Sequence, residues 1–258
     1  MLSVIIPSFR DPRLLQAIAS VRRFDDVDQA QIIVVDGGSD AALLDEVRKV
    51  LGPRDILISE PDEGIFDAMN KGLDAATGDL IGWIGSDDIF SDNVKASEVI
   101  EALETADLFV GGTAMVDVNR VTRVFWLWQN PQRAAFFGFH NPHFSTFGHA
   151  GKLCSERFDI HSPVSDIDYF LRIFAAKPKV HVDRRITTIM QIGGFSNGSI
   201  RKSFSLNAMA YRIYRNHVSV PQAVLATVFK VVPKVVSAVF YKMKRTLIED
   251  ELLRKNTS

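Results

Sequence analysis

A chain of 258 residues with 47% hydrophobic side chains is long enough to bury a full core, and it fits one large domain with at most an appendage. With 30 basic against 31 acidic residues the net charge is -1, which removes any case for nucleic-acid binding driven by overall charge. The only cysteine, Cys154, excludes an intramolecular disulfide and reads as a small packing residue.

Met1 to Pro7 lacks the basic, apolar and small-residue pattern of an export signal, so the chain is expected in the cytoplasm. Leu2 to Ile6 reads instead as a strand stopped by Pro7, and Asp11-Pro12 predicts an N-cap and first-turn proline for a helix ending near Arg23. Gln31 to Val35 repeats the strand signal and runs into Asp36-Gly37-Gly38-Ser39-Asp40, before helical spacing from Ala41 to Leu51. Ile56 to Ile58 predicts a third strand and Ile65 to Ala76 a third helix. The apolar run from Leu80 then ends in Gly85-Ser86-Asp87-Asp88. Strands alternating with helices indicate an α/β fold with a mainly parallel sheet, whose post-strand loops gather on one edge. Those loops carry Pro7-Ser8-Phe9, Asp36-Gly37-Gly38, Glu60 to Gly64 and Ser86-Asp87-Asp88, so four polar or glycine-rich segments meet where such sheets bind ligands.

Two adjacent carboxylates at a strand's end repel each other, and a hard cation such as Mg²⁺ or Mn²⁺ shared with an anionic ligand relieves that repulsion. The competing reading makes Ser86 or Asp87 a helix N-cap. The first turn, Pro7-Ser8-Phe9-Arg10, lacks the glycines of a dinucleotide-binding loop, and no P-loop is present. Anion binding therefore falls to a metal and side chains.

Beyond Val110 the pattern loosens. Val121 to Trp128 has strand character with Trp126 and Trp128 on one face, and the aromatic-rich stretch from Phe136 to Phe147 includes His140 and His143, with His149 just beyond. Three histidines so close suggest zinc, but matching cysteine or carboxylate spacing is missing. Asn197-Gly198-Ser199 reads as a turn. Ser165-Asp166-Ile167-Asp168 opens a helix, where acidic residues also favour the helix dipole.

The tail, residues 217–258, is an amphipathic helical extension. On a helical wheel Lys230, Lys234, Tyr241 and Arg245 oppose Leu225, Val228, Val232, Val235, Val239 and Met243, and no acidic residue lies between Val218 and Glu249. Pro233 and the lysines disfavour a bilayer-spanning helix. Residues 222–248 are expected to lie on the inner face of an anionic membrane, the alternative being packing on the domain or a second subunit.

Ser3-Val4-Ile5-Ile6-Pro7-Ser8, Ile33-Val34-Val35-Asp36-Gly37-Gly38-Ser39, the run from Ser59 through Asp62-Glu63-Gly64-Ile65-Phe66-Asp67-Ala68-Met69-Asn70-Lys71 to Gly72, and Ser86-Asp87-Asp88 occur in an order and spacing that resemble family-two glycosyltransferases. Within that family the resemblance is to the bacterial colanic-acid and phenolic-glycolipid branch. It covers about residues 1 to 200 and implies a GT-A-type domain over 1–216, with a nucleotide-binding half at 1–110 and an acceptor half at 111–216. It further implies inverting transfer from a nucleotide-diphosphate sugar to a hydroxyl of a polysaccharide, glycolipid or lipid-linked acceptor, with Mg²⁺ or Mn²⁺. Pro7, Ser8 and Asp36 are implied as base and ribose contacts, and Glu60, Asp62, Asn70, Lys71 and Ser86 as further donor contacts. Asp87 is implied as the direct metal ligand, with Asp88 as a helper or a cap. Asp166 is implied as the catalytic base, with Asp168 as the other candidate, and His143 as part of an acceptor-side loop. Gly193-Gly194-Phe195-Ser196 resembles a mobile segment over the donor.

The chain departs from the family pattern in two places. Gly85 stands where the first carboxylate of Asp-x-Asp would be, and Met69 where related enzymes often carry arginine. Lys71 is left as a diphosphate partner, or as a helix residue paired with Asp67. Two alternatives to glycosyl transfer are weighed. A sugar nucleotidyltransferase would need a glycine- and arginine-rich loop after the first strand, which Pro7-Ser8-Phe9 does not supply. A catalytically silent sugar-binding or scaffold protein would leave nucleotide sugars intact.

Overall fold

Apolar residues alternate along the first two strands so that both faces of a sheet are covered. In β1 (Leu2–Ser8), Leu2, Val4 and Ile6 face one core and Ile5 the other, and in β2 (Ala30–Asp36), Ala30, Ile32 and Val34 oppose Ile33 and Val35. This computed structural model describes residues 1–117, 120–125, 136, 143–191 and 200–228. One face is covered by α1 (Leu14–Phe24), α2 (Ala41–Val50) and α4 (Ala96–Leu103), and the other by α3 (Ile65–Ala75), α5 (Ala150–Leu153), α6 (Ser165–Ala175) and α7 (Ile200–His217). A further helical stretch over 220–228 follows α7.

The remaining strands are β3 (Ile56–Ser59), β4 (Leu80–Trp83), β5 (Ile89–Phe90), β6 (Leu108–Asp117), β7 (Arg120–Phe125), β8 (Thr146–His149) and β9 (Val180–Gln191). Together the strands form one sheet ordered β3-β2-β1-β4-β8-β6-β9-β5, with β7 paired to β6. The expected parallel arrangement holds across β3, β2, β1 and β4. Past β4 the sheet is mixed: β8 runs antiparallel to β4 and β6, β9 runs parallel to β6, and β5 pairs antiparallel with β9. Parallel register sets Ser8 beside Asp36 and Asp36 beside Ser59, which brings the first three post-strand loops to one edge.

Asp11 does not cap α1 as its position before Pro12 predicts. Its carboxylate accepts the Arg13 backbone N–H at 3.0 Å and binds the Arg13 guanidinium, a turn that delays the helix to Leu14. Asp40 caps α2 by accepting the Leu43 N–H at 2.9 Å. Cys154 is partly buried against the core. Trp126, Trp128, His140, the Gly193–Ser196 segment, the turn at Asn197 and the tail beyond 228 lie outside the described residues.

An aromatic cluster joins the parallel part of the sheet to the second half of the chain. Trp83, fully buried at the end of β4, meets Tyr169 and Phe170 of α6 edge-on, with ring centroids 6.2 and 6.3 Å apart. Phe158 stacks on Tyr169 at 4.0 Å and on Phe66 of α3 at 5.4 Å. The Tyr169 hydroxyl donates to the Leu153 carbonyl at 2.5 Å. In urea denaturation, Tyr169→Phe should lower stability by about 1–2 kcal/mol by orphaning that carbonyl, and Trp83→Ala by about 3–5 kcal/mol by leaving a cavity.

Candidate active site

The carboxyl edge of the parallel strands is held together by the chain's own hydrogen bonds. The Gly37 N–H donates to the Ser8 carbonyl at 2.9 Å and the Glu60 N–H to the Asp36 carbonyl at 3.0 Å, so the loops after β1, β2 and β3 are tied in series. Asp36 is fully buried, and its carboxylate accepts from the Gly38 N–H (3.1 Å), the Ser39 N–H (2.8 Å), the Ser39 hydroxyl (2.5 Å) and the Ser59 hydroxyl (3.1 Å). Its carboxylate therefore shapes the loop after β2. Pro7 does not stop β1 as the sequence suggests: it sits beside Val35 and the strand runs on to Ser8, whose buried hydroxyl has no partner among the described residues.

Asp62 leans over Gly37 so closely that any Cβ at Gly37 would collide with its carboxylate. Burial raises the Asp62 carboxyl above its ordinary range, against the hydrogen bond it accepts from the Gly64 N–H at 2.9 Å. Gly64, at φ 119°, adopts a turn that L side chains rarely tolerate and starts α3 immediately afterwards. On that helix the Lys71 ammonium lies 2.9 Å from Glu60 and 3.3 Å from Asp67, and it donates to the Pro61 carbonyl. The Asp67 pairing suggested by sequence spacing is thus present, and Lys71 and Glu60 together brace the loop after β3. Asn70 spends its amide on Phe158, donating to that residue's carbonyl and accepting its N–H, both at 2.9 Å. It clasps the loop before α6.

Ser86, Asp87 and Asp88 follow β4 in a turn. A Cβ at Gly85 would lie 2.7 Å from an Asp88 oxygen, so the glycine lets that carboxylate fold back against the backbone. Asp88 is buried and accepts the Gln191 N–H at 3.1 Å, while burial and then the charge of Asp87 push its carboxyl up to about 7. Asp87 is more open, with its oxygen 3.6 Å from the Arg13 guanidinium. Among the described residues no group of three or more acidic, histidine or cysteine side chains converges as a ready-made metal cage. One open carboxylate beside a second fits the donor set of Mg²⁺ or Mn²⁺, which fill the rest of their shell with water and phosphate oxygens.

Asp166 and Asp168 share the first turn of α6 and have equal side-chain exposure, 28% each, yet their surroundings differ. Asp168 is held by the Arg172 guanidinium at 2.9 Å and the His217 ring at 2.8 Å. Among the described residues Asp166 has the His143 ring at 3.9 Å and the Tyr214 phenol within reach of its charge, and no arginine or lysine pairs with it. Burial lowers the His143 ring's proton affinity, opposed by Asp166, so the ring is neutral at pH 7, and its Nε2 is buried without a partner among the described residues. Burial and then the Asp166 charge raise the phenol of Tyr214 on α7. His149 is elsewhere, bonded to the Leu103 carbonyl at 2.9 Å.

Arg13, Gln191, Tyr214 and His217 join the candidate site without having been singled out in the sequence. Arg13 was accessible in principle, as a basic residue in the first post-strand loop. Gln191 and His217 come from distant elements and carry no local signal.

Residues 3–162 match the family described as Glycosyl transferase family 2. A "PGL/p-HBAD biosynthesis glycosyltransferase" of Mycobacterium bovis is 31% identical over 125 residues, 46% of this chain and 49% of that protein. An uncharacterized glycosyltransferase of Mycobacterium tuberculosis is 33% identical over 151 residues, 53% and 58% of the two chains. The matches span about half the length of these curated relatives. Among solved structures, S. aureus TarS superposes with a TM-score of 0.62 at 13% identity, over 89% of this chain and 42% of that one. TarS 1–349 in complex with UDP-GlcNAc gives 0.61 at 14%, over 89% and 71%. The fold is thus of the GT-A type.

Because folded Asp88 keeps its proton to about pH 7 and an unfolded aspartate releases it near 3.8, the folded state binds the extra proton between those values. Its contribution to stability is therefore lost as pH rises through that window. In metal-free buffer Asp88→Asn should flatten the fall in melting temperature from pH 5 to pH 8, and an unchanged slope would contradict this.

Proposed function

The chain belongs to glycosyl transferase family 2, and from that premise we propose that it transfers a sugar, with inversion, from a nucleotide-diphosphate sugar to an acceptor hydroxyl. The observation that carries the reading is the contrast on α6. Asp168 is committed to Arg172 and His217, which leaves Asp166 as the carboxylate available to a substrate. Asp166 takes the proton of the acceptor hydroxyl as its oxygen attacks the anomeric carbon and the nucleoside diphosphate departs from the opposite face.

On the donor side, Pro7, Ser8 and the Asp36 loop flank the nucleotide, with Glu60, Asp62, Lys71 and Ser86 shaping the same edge. Asp87, with Asp88 behind it, would hold Mg²⁺ or Mn²⁺, which when bound neutralises charge on the leaving diphosphate. UDP-sugars are the first donors to try, since the similar TarS structure holds UDP-GlcNAc. The acceptor is a glycan or a lipid-linked molecule.

The test is nucleotide release from UDP-, GDP- and dTDP-sugars with Mn²⁺. Asp166→Asn should lower kcat by roughly 10² to 10⁴ with donor affinity nearly unchanged. Asp87→Asn should remove turnover together with metal-dependent stabilisation by the nucleotide. If Asp168→Asn produces the loss and Asp166→Asn does not, the base has been misassigned. If no donor turns over or hydrolyses, the silent sugar-binding reading takes its place.

Placement on the inner face of a membrane belongs to the same proposal. The helix over 220–228 docks through small residues, with Ala223 and Ala226 fully buried, while Val220 (49%), Val224 (47%), Leu225 (45%) and Val228 (49%) are exposed. A helix packed only for stability would turn its larger apolar side chains inward. No helix among the described residues is long and apolar enough to cross a membrane. The exposed stripe leads into the basic run that begins at Lys230 and Lys234, which suits an anionic lipid surface. The full-length protein should co-sediment with phosphatidylglycerol vesicles at low salt, and Val224→Asp with Val228→Asp should abolish this without unfolding. A full-length protein that stays in the supernatant would assign the stripe to a protein partner.

A further inference from the structure

Arg13 sits where its charge acts on the candidate metal carboxylate without being free to leave. Its guanidinium forks onto Asp11, with Nε 2.9 Å from Oδ1 and Nη2 2.7 Å from Oδ2. Its Nη1 donates to the Gln191 side-chain carbonyl at 3.2 Å, and its Nη2 lies 3.6 Å from an Asp87 oxygen. Gln191 in turn donates its backbone N–H to Asp88. Three attachments from two elements, the turn before α1 and the end of β9, hold the guanidinium at the edge of the carboxylate pair. Arginine has no accessible neutral form, so its charge persists at every working pH.

A fixed positive charge beside Asp87 acts in opposite directions on the two species that approach the site. It relieves Asp87 when the pair is otherwise alone, and it repels a bare divalent cation arriving at the same carboxylate. A cation that arrives with a diphosphate carries a compensating negative charge, which Arg13 attracts. We propose that Arg13 is a positioning residue that couples metal loading to donor loading: it weakens binding of the bare cation at Asp87 and favours the cation accompanied by a nucleoside diphosphate. This rests on the reading of Asp87 as the metal carboxylate, and nothing in it requires Arg13 to touch the reacting atoms.

The experiment is calorimetric titration of the full-length protein with Mn²⁺ alone and with Mn²⁺ in the presence of UDP. Arg13→Gln, which retains hydrogen bonding and removes charge, should bind Mn²⁺ alone roughly three- to tenfold more tightly and lose most of the UDP-dependent enhancement. Arg13→Lys should keep the parent's pattern. Asp11→Asn, which releases the guanidinium towards Asp87, should weaken Mn²⁺ alone further, and it decides the matter if Arg13→Gln does not fold. Unchanged Mn²⁺ affinity in Arg13→Gln, or an Arg13→Lys variant that behaves like the glutamine, overturns the inference. Asp87→Asn separates the two levels. If it leaves Mn²⁺ binding with UDP intact, the metal reading itself fails, whereas if it abolishes binding while Arg13→Gln changes nothing, only the coupling role fails.

Discussion

The edge-on packing of Trp83 against Tyr169 and Phe170 is the contact on which the candidate site's geometry depends. Asp87 follows Trp83 by four residues along the chain, and Asp166 precedes Tyr169 by three. The distance between a carboxylate on the parallel sheet and one on a helix from the second half of the chain is therefore set by one buried aromatic cluster. Aromatic rings suit this task because they bury a large apolar area while preferring defined edge-to-face angles. Asn70 reinforces the joint by clasping Phe158, so a residue in the most distinctive motif of the sequence serves the junction between the halves.

Around that joint, the acidic residues are each handled differently. Asp36 is satisfied by four hydrogen-bond donors of its own loops, Asp11 by a guanidinium fork, and Asp168 by an arginine and a histidine. Asp88 is buried with one backbone donor, which is too little to keep it ionised cheaply. Of these carboxylates, and counting partners among the described residues, Asp87 and Asp166 have no hydrogen-bond donor within 3.5 Å, and they are the two that the proposed chemistry uses. A carboxylate whose lone pairs are already filled is a poor base and a poor metal ligand, so saturation of the neighbours helps to define which residues can act.

The helix after α7 repeats this economy in apolar terms. Alanines allow close approach to the core that Tyr214 and Ala210 help to form, and the branched side chains are left outside. His217, at the end of α7, ties that helical region to Asp168 and hence to the helix carrying the proposed base. The proposed membrane-facing helix and the proposed catalytic one thus pack into one core, with the His217 ring bonded to Asp168 beside it.

The parallel half of the sheet, its helices and its carboxyl-edge loops were legible in the sequence because their determinants are local. A β-branched run and a glycine-rich turn act within a few residues, and alternation along β1 and β2 shows that both faces are covered, although β1 runs past Pro7 to Ser8. The motifs from Ser59 to Gly72 and from Ser86 to Asp88 likewise pointed to the family that the comparison then showed. Local signals misplaced the start of α1, where the Asp11 side chain binds Arg13 rather than the helix N-terminus, and gave little hint of β5 and β9. β5 has only two residues, and β9 is a half-exposed strand whose polar positions blur its alternation. Which of Asp166 and Asp168 is left open, where Asn70 spends its amide, and which charge stands beside Asp87 were decided by tertiary structure alone. Each of those outcomes rests on a partner far away in the chain: His217 for Asp168, Phe158 for Asn70, and Arg13 for Asp87. Spacing can place a carboxylate on a helix, but only the folded chain determines what reaches it first.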